Sequence, residues 1–165
     1  RNLKYLQVEQ NGLTKEENIL NEFKLGVITP YQIIMSLALR QDNKLDSVVN
    51  IGSIYGLVTP NSNLYENPNV QSPIQYGVTK AALGHLTKEL AVRLSKKNIR
   101  VNCVAFGGVE GRATNEFLER YKTMCPSGRM LNQDDICGPV DMLLSKNSSG
   151  INGHILVVDG GWTIW

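Results

Sequence analysis

At 165 residues, with 42% hydrophobic and 19% charged residues, the chain has the size and composition of one globular α/β unit. Its 17 Lys and Arg stand against 15 Asp and Glu, a formal net charge of +2. No long basic tract points to nucleic acid, and no apolar run approaches the ~18 residues of a membrane span.

Residues 1–17 are polar and irregular, as in a surface loop. A helix is predicted from about Lys15 to Leu25, opened by Thr14 with Glu17 at capping-box spacing. A second follows from Pro30 to about Gln41, with Thr29 as its N-cap and Ile33, Ile34, Leu37 and Ala38 at helical spacing. Asp46 to Ile51 reads as a short buried strand. Residues 54–75 form a long connection with Pro60, Pro68 and Pro73, the kind that is typically functional or mobile.

A long helix is expected from Pro73 to Lys96, with Ala81, Ala82, Leu86, Leu90 and Leu94 on its buried side. Ile99 to Ala105 is the next strand, Gly107-Gly108-Val109 a turn, and Asn115 to Tyr121 a short helix. Asn132 to Leu144 gives another helix with acidic residues in its first turn, and Ile155 to Val158 a last strand. Strands joined through covering helices pair in parallel, so the expectation is α/β: three parallel strands with flanking helices.

The chemistry is concentrated in Tyr76-Gly77-Val78-Thr79-Lys80. Residues at i and i+4 share a helix face, so this phenol and ammonium point to one side. A neighbouring ammonium favours the phenolate form, which makes a tyrosine able to exchange a proton with an alcohol. Ser53, at the end of Ser47-Val48-Val49-Asn50-Ile51-Gly52-Ser53, can hold the substrate oxygen. Carbonyl–alcohol redox of this kind needs a nicotinamide to carry the hydride. Taken alone, each feature has a plainer reading: two solvated helix residues, and a serine in a strand-ending turn.

The cysteines, Cys103, Cys125 and Cys137, are odd in number and lack a C-x-x-C, which favours reduced thiols in a cytoplasm. Cys103 is expected in the core and Cys125, beside Pro126, in a loop. Neither His85 nor His154 has a partner at metal-ligand spacing, so no metal site is expected.

The ordered set Asn50-Ile51-Gly52-Ser53, Tyr76 to Lys80, Ala81-Ala82-Leu83, Arg100-Val101-Asn102-Cys103-Val104 and Asp159-Gly160-Gly161 resembles the short-chain dehydrogenase/reductase family across roughly residues 19 to 162. The resemblance implies the second, catalytic half of a Rossmann-type doubly wound sheet. The glycine-rich nucleotide turn, G-x-x-x-G-x-G or G-x-G-x-x-G, is not found, so the chain is read as the catalytic half of a single domain. The βαβαβ half that holds the nucleotide, roughly 80–90 residues, is then not represented.

By the same resemblance Tyr76 is the general acid/base, and Lys80 supports it while bonding the nicotinamide ribose. Ser53 orients the substrate oxygen, and Gly107, Gly108 and Val109 meet the nicotinamide carboxamide. NAD or NADP is the implied cofactor, a small molecule the substrate, and a homodimer or homotetramer the assembly. Trp162 and Trp165 become candidate subunit contacts. The family members it loosely resembles act in bacterial surface-sugar and flagellin modification, which suggests a polar or sugar-like substrate.

Two positions depart from the family pattern: Phe106 stands where proline is usual, and Phe23 where an asparagine of an N-x-x-G segment is usual. Tyr65, Asn67 and Asn69 are either substrate contacts or solvated loop residues. Arg112 and Arg129 are either a phosphate or carboxylate site or surface arginines. The rival reading of the whole chain is a non-catalytic binding or scaffold protein that kept the fold.

Overall fold

Parallel pairing of three strands organises the computed structural model, which describes residues 3–111 and 113–165. Strand β1 (Ser47–Ile51) pairs with β2 (Arg100–Phe106), and β2 with β3 (Ile155–Val158), in the order β1-β2-β3. The helices are α1 (Glu16–Phe23), α2 (Thr29–Ala38), α3 (Pro68–Gln71), α4 (Ile74–Leu94), α5 (Asn115–Met124) and α6 (Asp134–Leu144). The α/β architecture expected from the sequence is what forms.

The central strand explains the sheet. Val101 to Phe106 are all buried, as a strand covered on both faces must be. Because side chains alternate, Val101 packs with Ile34, Ala38, Leu90 and Leu94 of α2 and α4. Val104 and Phe106 turn the other way, onto Leu131 and Leu143. Asn102 is buried too and replaces a packing role with a bonding one. Its Nδ2 donates to Ile151 O and its Oδ1 accepts from His154 N–H, each at 2.9 Å, so it ties β2 to the loop that enters β3. Arg100 clamps the end of α6, donating to Leu143 O at 2.9 Å and Ser145 O at 3.2 Å.

The structure departs from the sequence expectations at several points. The first two helices are one continuous path, joined by a π-helical turn at Lys24–Ile28. Thr29 N–H reaches back five residues to Lys24 O, and this widened turn carries the ladder past Pro30, which has no N–H to give. Thr29 is helical rather than a cap. Gly26 sits in that turn against α4, where a Cβ would meet Thr79 Cγ2 at 2.2 Å. Thr14 does not cap α1 either; its hydroxyl donates to Gln75 Oε1 at 3.1 Å.

Leu90 and Leu94 are buried as expected and Leu86 packs partly buried on the core, but Ala81 is exposed, and Leu83, Thr87 and Ala91 complete the inward face of α4. Thr87 earns burial by accepting from Asn50 Nδ2 at 2.9 Å. Helix α5 runs one turn further than expected, to Met124. Trp162 is 8% exposed and stacks on Tyr121 with centroids 4.5 Å apart. It belongs to an internal cluster and is not a surface contact. Trp165 is 75% exposed.

Candidate active site

All three strands run the same way, so Gly52-Ser53, Gly107–Val109 and Asp159 leave the sheet at one edge, the carboxyl edge where ligands bind open α/β sheets. A cavity of about 840 Å³ opens there. Ser53, Tyr76, Lys80, Gly107, Gly108 and Val109 all border it. The six residues selected from the sequence are thus brought to one site.

Close backbone approach does much of the positioning. The turn Ile54–Gly56 lies directly on α4: a Cβ on Gly56 would stand 2.7 Å from the Lys80 carbonyl carbon, and one on Gly77 would stand 2.9 Å from Tyr55 O. Only glycine at both places lets the Ser53 segment settle against the helix turn that carries Tyr76 and Lys80. Lys80 Nζ donates to Ile51 O at 2.7 Å and lies 5.8 Å from the Tyr76 ring centroid. Ser53 is buried, and its hydroxyl accepts from Tyr55 N–H at 3.2 Å.

The glycine turn is pinned from several directions. Gly107 N–H donates to Val158 O at 2.9 Å, Gly108 N–H to the Tyr121 hydroxyl at 3.0 Å, and Gly108 O accepts from Leu131 N–H at 2.8 Å. The missing Cβ atoms serve this packing, since Gly107 abuts Asp159 Cα and Gly108 abuts Tyr121 and Met130. Phe106, buried against Leu131 and Leu143, anchors the turn through packing where a proline would anchor it through a fixed φ. Tyr121, pushed up to about 12 by burial, is a neutral phenol at physiological pH. With the turn and the Tyr76–Lys80 face on one cavity, the residues present fit the nicotinamide end of a dinucleotide.

Two tyrosines were not picked out by the sequence reading as parts of this framework. Tyr121 is recognisable only as an aromatic at i+4 from Phe117. Tyr55, two residues after Ser53, has its hydroxyl 2.7 Å from that of Tyr65. Burial pushes the Tyr55 phenol far above the ordinary tyrosine range, and the neighbouring Tyr65 adds to the rise. It is therefore unsuited to proton exchange near neutrality, in contrast to the role expected of Tyr76.

Of the other candidates, Tyr65 borders the cavity while Asn67 and Asn69 do not line it. Arg129 is committed elsewhere: it forks onto Asp135 at 2.6 and 3.1 Å and donates to Met130 O. Arg112 lies outside the described residues. Phe23, half-buried on α1, is not part of the cavity wall. Cys103 and Cys125 are buried and Cys137 is exposed, so the loop position expected for Cys125 is enclosed. Among the described residues no His, Cys, Asp or Glu cluster is placed to hold a metal ion. No helix among them is long and apolar enough to cross a membrane.

A Rossmann-type parallel sheet with a Ser, a Tyr-x-x-x-Lys and a glycine turn at its carboxyl edge defines a class of nucleotide-dependent folds. Comparison with known proteins gives the family. A family model described as enoyl-(acyl carrier protein) reductase matches residues 32–163. The post-translational flagellin modification protein A of Campylobacter coli is 44% identical over 116 residues, 70% of this chain and 45% of that protein. The 3-oxoacyl-(acyl-carrier-protein) reductase of Thermotoga maritima is 30% identical over 157 residues, 91% of this chain and 59% of that one. A short-chain dehydrogenase from Leptospira borgpetersenii, solved with bound NAD+, superposes with a TM-score of 0.82 at 31% identity, covering 91% of this chain and 58% of that chain. This chain belongs to the short-chain dehydrogenase/reductase family. It spans about half the length of the curated relatives it matches.

Proposed function

We propose that this protein is an NAD(P)-dependent oxidoreductase that interconverts a secondary alcohol and a ketone, on a polar or sugar-like substrate. The observation that carries the reading is the convergence of Ser53, Tyr76, Lys80 and the Gly107–Val109 turn on one cavity. When bound, the nicotinamide supplies or accepts the hydride at the substrate carbon. In the reducing direction the Tyr76 phenol gives its proton to the carbonyl oxygen; in the oxidising direction it takes the proton of the alcohol. Ser53 Oγ donates to that same oxygen and fixes its distance from the phenol. Lys80 places a positive charge one helical turn from Tyr76 and, from its anchor on Ile51 O, holds a ribose hydroxyl. The Val109 backbone orients the carboxamide.

In the family resemblance the pyrophosphate cradle and the residue that selects NAD or NADP are parts of a βαβαβ nucleotide-binding half. The free thiols favour a cytoplasmic site of action, and a homodimer or homotetramer is the expected assembly. The test is oxidation of NADH and NADPH by the full-length protein against a panel of ketones. Tyr76→Phe is expected to lower kcat by about 10²–10⁴-fold while saturable quenching of tryptophan emission by the reduced nucleotide persists. Absence of any saturable nucleotide signal in the parent protein would favour the non-catalytic reading.

A further inference from the structure

The connection between Ser53 and Tyr76 builds a wall of the cavity and is firmly held. Leu64 is fully buried in the cluster of Ile54, Tyr121 and Trp162. Arg120 of α5 donates from Nε to Leu64 O at 2.9 Å and places its other end 3.8 Å from Glu66 Oε1. Tyr65 meets Phe117 edge-on at 5.6 Å. The segment expected to be either functional or mobile is thus anchored, and its anchor presents the Tyr65 hydroxyl to the Tyr55 hydroxyl at 2.7 Å.

Two phenols bonded to each other offer lone pairs and a hydroxyl hydrogen to a third oxygen. Both border the cavity that Ser53 and Tyr76 share. Charge narrows what that oxygen belongs to. Among the described residues, Glu66, Glu110 and Glu116 line the cavity against Lys80 and Arg120; Glu66 and Arg120, 3.8 Å apart, offset each other, which leaves Glu110 and Glu116 against Lys80. A carboxylate or phosphate would meet this acidic rim at a cost. A neutral hydroxylated chain would not, and the aromatic faces of Phe117 and Tyr121 suit its C–H surface.

Building on the oxidoreductase reading, we propose that Tyr55 and Tyr65 form a hydroxyl-reading subsite that selects a neutral polyhydroxylated substrate over anionic or unsubstituted ketones. The pair determines specificity and takes no part in proton exchange.

Tyr65→Phe and Tyr55→Phe each keep the ring and remove one hydroxyl. Reduction of L-erythrulose and of 2-butanone, which has the same carbon chain without the hydroxyls, is followed with NADH and with NADPH in the full-length protein. Each variant is expected to raise KM for L-erythrulose about tenfold, the worth of one hydrogen bond. Its kcat, and both constants for 2-butanone, stay within about threefold. The double variant loses little more than either single one, because the two hydroxyls act as a unit. Equal changes for both ketones, no change for either, or a parent that prefers 2-oxobutanoate to L-erythrulose would overturn the proposal. Should Tyr65→Phe fail to fold, Tyr55→Phe carries the same comparison. A parent that reduces no ketone sinks the oxidoreductase reading, and the subsite is then judged by calorimetric titration with L-erythrulose. Binding lost in Tyr65→Phe supports it, and no binding to the parent overturns it.

Discussion

Tyr121→Phe isolates a single bond under the glycine turn. Tyr121 is 2% exposed and its hydroxyl accepts the Gly108 N–H at 3.0 Å, while its ring stacks on Trp162 at 4.5 Å. The substitution keeps the ring and the stack and strips the amide of its acceptor. A buried donor left without a partner costs about 1–3 kcal/mol, and relief from burying the hydroxyl offsets part of it. The expected net loss is therefore about 1–2 kcal/mol, read as a drop in urea midpoint of roughly 0.5–1 M for a slope of about 2 kcal/mol/M. Near-UV circular dichroism should keep the tryptophan signal, since the stack is unchanged. If the turn also orients a nicotinamide, KM for NADH rises while kcat changes less. A midpoint shift worth less than about 0.3 kcal/mol would show that Gly108 does not depend on this hydroxyl, and the account of the turn would fail.

Asn102→Ala removes both bonds to the β3 entry loop, leaving His154 N–H without its acceptor and Ile151 O with only Arg100 Nη1 at 3.3 Å; a loss of about 1–3 kcal/mol in urea unfolding is expected. Gly160 has φ +68° and a Cβ there would lie 2.3 Å from Ser127 Oγ, so Gly160→Ala should destabilise by at least about 1–2 kcal/mol. A thermal melt indistinguishable from the parent would contradict both strain and clash. Burial raises the Cys103 thiol from 9.0 to about 11, so its contribution is intact below pH 9 and lost as pH climbs toward 11. Near neutrality a maleimide should label Cys137 first, with Cys103 protected until the protein unfolds. The Arg129 guanidinium beside Asp135, with the Asn132 N–H, holds that carboxyl down to about 2 from 3.8. The clip is therefore present above pH 3.8 and lost as pH falls toward 2. Asp135→Asn should flatten the acid limb of stability in that window, and an unaltered limb would argue against the clip.

Strand periodicity, the valine-rich runs and the Tyr76-to-Lys80 spacing are local properties, and they made the parallel sheet, the long helix and the shared face of Tyr76 and Lys80 legible in the sequence, while Gly107, Gly108 and Val109 were reached only through the family resemblance. Propensity also placed helix breaks well where a turn follows, as at Asn132, whose side chain accepts from Asp134 and Asp135 N–H. It failed where a neighbour decides. Pro30 reads as a helix start, yet packing of α1 and of the π-helical turn against α4 accompanies a helix that runs through it in a wide turn. Trp162 is a candidate subunit contact, and Arg129 either an anion site or a surface arginine, until Tyr121 and Asp135 are found beside them. Tyr55 and Tyr65 are ten residues apart in the chain, and no local spacing pairs them. Their meeting depends on Leu64 being buried and on Arg120 reaching across from α5. The sequence by itself thus determined that a phenol and an ammonium share one helix face, because their spacing is set within one helix. Only the tertiary structure decided what surrounds it, because the cavity wall comes from segments distant in the chain that are brought together by packing and by hydrogen bonds such as Arg120 Nε to Leu64 O.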